Sequence, residues 1–124
     1  MSGRRFAGKS VIVTGAAGGI GRATALRLAS EGASVLAVDV KEHELAETST
    51  MAYGSSFRAM VADVADRTSP ERIVSQALTA HGKLDMLVNN AGITGRGGGV
   101  AAANDDEWDS VIDMNVSSGF RMSR

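Results

Sequence analysis

The sequence predicts an α/β fold in which a parallel sheet is covered by helical crossovers, and three observations carry that reading. Short apolar runs alternate with segments of helical spacing, the connections between them are short, and a glycine-rich turn marks the junction of the first run and the first helical segment. Strands buried on both faces read as continuous apolar runs. Ser10–Thr14 holds Val11, Ile12 and Val13, Ser34–Asp39 holds Val35, Leu36 and Val38, and residues 86–90 hold Leu87 and Val88. Phe57–Val61 is interrupted by Arg58, and the spacing of its neighbours places it as the third strand.

The first helix opens at Gly19 and closes before Gly32, with Ala25, Leu28 and Ala29 on one side and Thr24, Arg27 and Glu31 on the other. A second starts near Lys41 around Leu45 and Ala46. The third takes Ser69 as N-cap and Pro70 at its first position, carries the stripe Ile73, Val74, Ala77 and Leu78, and stops at Gly82. Gly95, Gly97, Gly98 and Gly99 then form a loop too permissive in its backbone angles for one conformation to be assigned. Asn104 caps the last helix in a capping-box arrangement with Glu107, and Trp108, Val111, Ile112, Val116 and Phe120 recur at helical spacing with no stop signal before Arg124. The expected sheet has four strands, and its fourth strand keeps an unpaired edge. On this reading the chain forms one domain over residues 1–124, the unfinished front part of a larger fold.

Composition narrows the function. Hydrophobic residues make up 44% and charged residues 22%, the ordinary range of a soluble globular protein. Thirteen Lys and Arg against fourteen Asp and Glu give a net charge of −1, so the electrostatic footprint of a nucleic-acid or anionic-membrane binder is missing and a small-molecule partner is expected. No run approaches the roughly 18 apolar residues of a membrane span, and no signal-peptide core follows Arg4, Arg5 and Lys9, which leaves the cytoplasm as the expected location. With no Cys, disulfides and thiolate chemistry are excluded.

The glycine-rich turn, residues 13–22, is where a dinucleotide site would begin. A pyrophosphate placed there meets free backbone N–H groups and the positive end of a helix dipole. Gly15 permits the tight turn, Gly19 lets a phosphate approach the backbone, and Gly21 lets the helix pack closely on the strand. Ala17, Gly18 and Ile20 complete the stretch that would face the phosphates. No Gly-Lys-Ser/Thr follows, which argues against a nucleoside triphosphate loop. Glycine-rich turns also serve packing alone, so the turn needs support from elsewhere.

Thr14, Gly15, Gly19, Ile20 and Gly21 match the Thr-Gly-x-x-x-Gly-Ile/Leu-Gly motif, and the chain resembles the short-chain dehydrogenase/reductase family from Lys9 to about Phe120. The resemblance implies a Rossmann-type doubly wound parallel sheet, here truncated to roughly its first four strands in the order 3-2-1-4, and an NAD(P)-dependent oxidoreductase acting on alcohols or ketones. Asp39 ends the second strand 24 residues after Gly15, where an acidic residue accepts hydrogen bonds from the adenosine ribose. A carboxylate there repels a 2′-phosphate, and Gly18 carries no basic side chain, so NAD is favoured over NADP. Lys41 weakens that preference, and Asp39 could instead simply cap the second helix. Asp63 and Val64 resemble the family's adenine-contacting pair, although an Asp after a strand is also an ordinary turn former. Asn89, Asn90, Ala91 and Gly92 match its Asn-Asn-Ala-Gly motif, of which Asn90, Ala91 and Gly92 would line the cofactor cleft.

Asn115 interrupts the apolar stripe of the last helix, and a buried amide without partners costs roughly 1–3 kcal/mol. In the family a matching Asn holds a water of the proton relay, so Asn115 is the candidate catalytic residue; a capped Asn at a helix irregularity is the alternative. The family's Tyr-x-x-x-Lys is not found: Tyr53 is the only Tyr, and Phe57 stands four residues after it. Ser117 and Ser118 follow Asn115 too closely to be the family's Ser, and neither His43 nor His81 has a nucleophile partner by sequence; His81 reads as a cation at a helix C-terminus. The 124-residue chain is therefore expected to be inactive by itself, and the complete enzyme to be a homo-oligomer. A non-catalytic nucleotide- or partner-binding protein is the competing reading, and a damaged gene product that does not fold stably is the third.

Overall fold

A computed structural model describes residues 4–52, 56–92 and 104–124. The chain alternates strand and helix: β1 (Ser10–Thr14), α1 (Gly19–Ser30), β2 (Ser34–Asp39), α2 (Glu42–Met51), β3 (Phe57–Val61), α3 (Ser69–His81) and β4 (Met86–Val88). A last helical stretch follows, made of α4 (Asp105–Ile112), a π-helical turn over Asp113–Ser117 and α5 (Ser118–Ser123). The four strands are parallel and lie in the order β3-β2-β1-β4. This is the expected doubly wound arrangement, and Phe57–Val61 takes its place beside β2 with Val35 opposite Phe57.

Alternation along the strands divides the core into two layers. Val11, Val13, Val35 and Ala37 face one side, where Ala25 of α1 and Leu45 of α2 cover them. Ile12, Leu36 and Val38 face the other, under Ile73 and Ala77 of α3 and Met122 of α5. Helices on both faces leave the ends of β1, β2 and β4 open at one rim of the sheet, which is where doubly wound folds bind ligands.

Several boundaries and faces differ from the sequence reading. Thr68, not Ser69, is the N-cap of α3, where Asp66 Oδ1 accepts from both the Thr68 N–H and its hydroxyl (2.8 Å each), so the helix starts one residue earlier than expected, at Ser69, which is fully buried. Leu78 at 47% and Ala46 are exposed. Gly82 ends α3 as expected, at φ +78 with its N–H on the Leu78 carbonyl. At His81, expected as a cation at the helix end, burial, and after it the Arg58 charge, push the pKa below the usual histidine value, which disfavours the charged form. β4 stops at Val88, because Asn90 and Ala91 turn their N–H groups to the Thr14 side chain instead of a strand.

The last helix departs furthest. Asn104 caps it as expected, its side chain accepting from the Glu107 N–H at 2.7 Å. Its stripe, however, faces outward, with Trp108, Val116 and Phe120 exposed. Among the described residues β4 pairs on one side only, so no strand lies under that stripe. The π-helical turn adds a residue and resets the helical phase, leaving Ser118 and Met122 as the buried positions. No helix among the described residues is long and apolar enough to cross a membrane. Tyr53 and the loop glycines Gly95, Gly97, Gly98 and Gly99 lie outside the described residues.

Candidate nucleotide-binding cleft

Thr14 closes β1 fully buried and organises the rim. Its hydroxyl oxygen accepts from the N–H groups of Asn90 and Ala91, at 3.1 Å each, and its proton is directed to the Val88 carbonyl at 3.3 Å. One β-branched side chain thus joins the glycine turn to the end of β4. The Asn90 amide completes the joint by donating to the Gly15 carbonyl at 3.2 Å.

The glycines of the turn fall into two kinds. Gly15, at φ +68, could carry a Cβ only 2.8 Å from Asn90 Nδ2, and a Cβ on Gly21 would lie 2.0 Å from the Gly15 carbonyl oxygen. These two permit close packing. A Cβ on Gly18 or Gly19 would meet nothing within 4 Å, so these two border open space. Gly18 is also the N-cap of α1, offers no side-chain cap, and no acidic residue occupies the first turn. The first amides of a helix have no intrahelical acceptor, so they face the opening with the positive end of the dipole behind them.

The opening is a cleft of about 500 Å³. Gly15, Ala17, Gly18 and Gly19 form its floor, Asp39 and Val64 stand on one flank, and Asn90, Ala91 and Gly92 on the other. Asp39 Oδ2 accepts from the Ala17 N–H at 3.0 Å and Oδ1 from the Lys41 N–H at 3.1 Å, so the carboxylate joins the turn to the start of α2. The remaining candidates lie elsewhere. Ile20 is 77% exposed, Gly21 is buried in the strand-helix contact, and Asp63 is an exposed turn residue whose Oδ1 accepts from the Ala65 N–H at 2.9 Å.

Asn115 differs from expectation. It lies in the π-helical turn, none of whose residues is buried, and is exposed like Trp108, Val116 and Phe120 of the stripe it was expected to interrupt. It still borders the rim: its Oδ1 is 3.0 Å from where a Gly92 Cβ would be, and it shares a small cavity of about 30 Å³ with Thr14, Asn89 and Ser118. Glu44 and Met114 line the main cleft and were missed. Glu44 follows Asp39 by little more than one helical turn, which was the available signal; Met114 comes into place only through the π-helical turn, which left none.

A parallel sheet with an uncapped glycine-rich helix start at its rim defines the class of dinucleotide-fold proteins. Residues 9–124 match the family described as short chain dehydrogenase, and the chain belongs to this family of oxidoreductases. It is 37% identical over 122 residues to the 3-oxoacyl-(acyl-carrier-protein) reductase FabG of Thermotoga maritima, covering 97% of this chain and 49% of that protein. It is 41% identical over 118 residues to a 3beta-hydroxysteroid dehydrogenase of Mediterraneibacter gnavus, covering 94% of this chain and 43% of that one. The crystal structure of 3-ketoacyl-(acyl-carrier-protein) reductase from Brucella melitensis complexed with NADH superposes with a TM-score of 0.90 at 32% identity, over 96% of this chain and 49% of that chain. The chain thus spans about half the length of the relatives it matches.

Proposed function

We propose that the cleft binds a nicotinamide dinucleotide, NAD in preference to NADP, and that the protein to which this chain belongs is an oxidoreductase acting on an alcohol or ketone. The observation that carries the reading is the open floor at Gly18 and Gly19, where the unsatisfied amides of α1 face a cavity with no Cβ in the way. A diphosphate would rest there, with Asp39 placed to accept from the adenosine ribose and to disfavour a 2′-phosphate. Asn90, Ala91 and Gly92 would line the path towards the nicotinamide, and Val64 the adenine side, with Asp63 beside it in the exposed turn. The dinucleotide supplies hydride transfer when bound. Asn115, at the rim beside Gly92, would orient a water of the proton relay in the whole protein.

Tyr53 is the only Tyr and has no Lys four residues later, so the 124-residue chain by itself is read as binding the dinucleotide without turnover. A phenol near pKa 10 makes a poor acid-base group at neutral pH without a neighbouring cation. A non-catalytic nucleotide binder, which the same cleft would serve, is the second reading. Calorimetric titration with NAD and NADP tests the proposal. Saturable NAD binding, weaker for NADP and abolished by Gly19→Val, is the expected result. No binding of either dinucleotide, or unchanged binding in Gly19→Val, would sink the site. Reduction of carbonyl compounds by the 124-residue chain with NADH would remove the non-catalytic reading.

A further inference from the structure

We infer that Thr48, with Arg22 behind it, is a positioning residue that orients Asp39 through a single peptide unit of the glycine turn; this rests on the dinucleotide reading above. Thr48 lies in the middle of α2, outside the glycine motif, and is 0% exposed. Its hydroxyl donates to the Ala16 carbonyl at 2.9 Å and accepts from Arg22 Nε at 2.8 Å. Its own Glu44 carbonyl lies farther off, at 3.3 Å, so the proton is directed to the turn rather than back along the helix. Arg22 is held in turn by donating from Nη2 to the Glu44 carbonyl at 2.9 Å, with Glu47 at 3.6 Å.

The Ala16 carbonyl and the Ala17 N–H belong to the same peptide plane. A trans peptide is planar and its C=O and N–H point in opposite directions, so holding one end fixes the other. Thr48 holds the carbonyl end, and the N–H end is therefore presented to Asp39 Oδ2 at 3.0 Å. Rotation of this plane would take the donor away from Asp39 and at the same time change the direction of the amides that follow at Gly18 and Gly19. Thr48 thus acts on both halves of the cleft, the diphosphate floor and the ribose carboxylate, without touching the cavity.

Thr48→Val keeps the shape and removes the hydroxyl, leaving the Ala16 carbonyl and Arg22 Nε without their partner. The measurement is the dissociation constant of NAD and of NADP by calorimetry for the wild-type chain, Thr48→Val and Thr48→Ser, with circular dichroism and urea unfolding to show that each folds. The expected result is about ten-fold weaker NAD binding in Thr48→Val, as for loss of a buried hydrogen bond. The ratio of NAD to NADP affinity should fall by roughly three-fold or more, and both values should return to near wild type in Thr48→Ser. A merely structural threonine would lower stability and leave that ratio alone. If wild type binds NAD and a folded Thr48→Val binds both dinucleotides as wild type does, the inference is overturned while the site stands. If wild type binds neither, the site itself falls and the inference with it. Should Thr48→Val not fold, Arg22→Met decides: a reduced NAD to NADP ratio supports the inference, and an unchanged one overturns it.

Discussion

Replacing Gly21 by Ala tests how the glycine turn is built, because its cost follows from one distance. The new Cβ would stand 2.0 Å from the Gly15 carbonyl oxygen and 2.5 Å from Asn90 Nδ2. Comfortable non-bonded separations are about 3.5 Å, so the start of α1 and the turn would have to part by roughly 1.5 Å. Neither side can yield cheaply, since Gly15 is backbone in a left-handed conformation and Asn90 is tied to that same carbonyl. Overpacking costs about 1–3 kcal/mol, and a rigid backbone on both sides puts Gly21→Ala at the upper end. With urea slopes of about 1–3 kcal/mol per molar, the unfolding midpoint should drop by on the order of 1–3 M. Gly19→Ala meets open space but must hold φ +54, which costs about 1–2 kcal/mol. Gly18→Ala has extended backbone at φ −169 and open space, and should unfold at or slightly above the wild-type midpoint. Urea unfolding of the three variants measures the order. A wild-type midpoint for Gly21→Ala, or equal losses at Gly18 and Gly21, would refute the division into packing and approach glycines.

Three further outcomes follow from named contacts. Thr14→Val leaves the half-buried N–H groups of Asn90 and Ala91 without their acceptor at a fully buried side chain, so urea unfolding should show a loss of about 1–3 kcal/mol, and a loss under about 0.5 kcal/mol would show that other acceptors replace the hydroxyl. The Arg5 hydrogen bond, and after it that of Arg27, hold the Glu31 carboxyl down at about 2, against about 4.3 in an unfolded chain. A depressed carboxyl stabilises the fold above the unfolded value and loses that contribution as pH falls through the folded one, so the thermal midpoint of wild type should fall more steeply between about pH 4 and pH 2 than that of Glu31→Gln. Parallel curves would remove the role of this triad in acid stability. Asp39→Ser should narrow the difference between NAD and NADP affinity by about ten-fold or more, read by calorimetry, since one repelling charge is removed; an unchanged ratio would leave Asp39 a backbone tie between Ala17 and Lys41 and nothing else.

How far the sequence is legible depends on whether a signal is local. Strand cores such as Val11 to Val13 and Val35 to Val38 are continuous apolar runs that fit a two-sided core and nothing else so short, and the structure places them at the centre of the sheet. Gly82 and Asn104 act on their own helix ends, and each cap stands where its chemistry demands. The failures involve partners distant in sequence. The stripe Trp108, Val116 and Phe120 has helical periodicity, but periodicity does not say which surface lies beneath, and the π-helical turn changes the phase midway. His81 was assigned from its place at a helix end, whereas burial, and after it the charge of Arg58 from β3, lowers its pKa. Thr48 gave no signal at all: a threonine in a helix is unremarkable until its hydroxyl is seen reaching a carbonyl 32 residues away.

Asp39 shows why the bland and the functional readings of one residue need not compete. Both of its oxygens accept from backbone N–H groups, Ala17 on one side and Lys41 on the other; Lys41 is itself the N-cap of α2, which has no side-chain cap, so the carboxylate ties the glycine turn to the approach of the helix and does not cap it. A carboxylate offers about four lone-pair positions, however, so two such bonds leave as many free. Those two bonds also fix the plane of the group at the border of the cleft, with its freedom to swing removed before any ligand arrives. Preorganised acceptors bind with less loss of side-chain entropy than mobile ones. The backbone tie is then the means by which the carboxylate becomes a selective ribose acceptor. The consequence is specific: Asp39→Asn, which can still accept from one backbone N–H but no longer repels a phosphate, should fold nearly as well as wild type while discriminating against NADP less. If Asp39→Asn instead lost stability and kept its discrimination, the two roles would be separate and the coupling through Ala17 would be wrong.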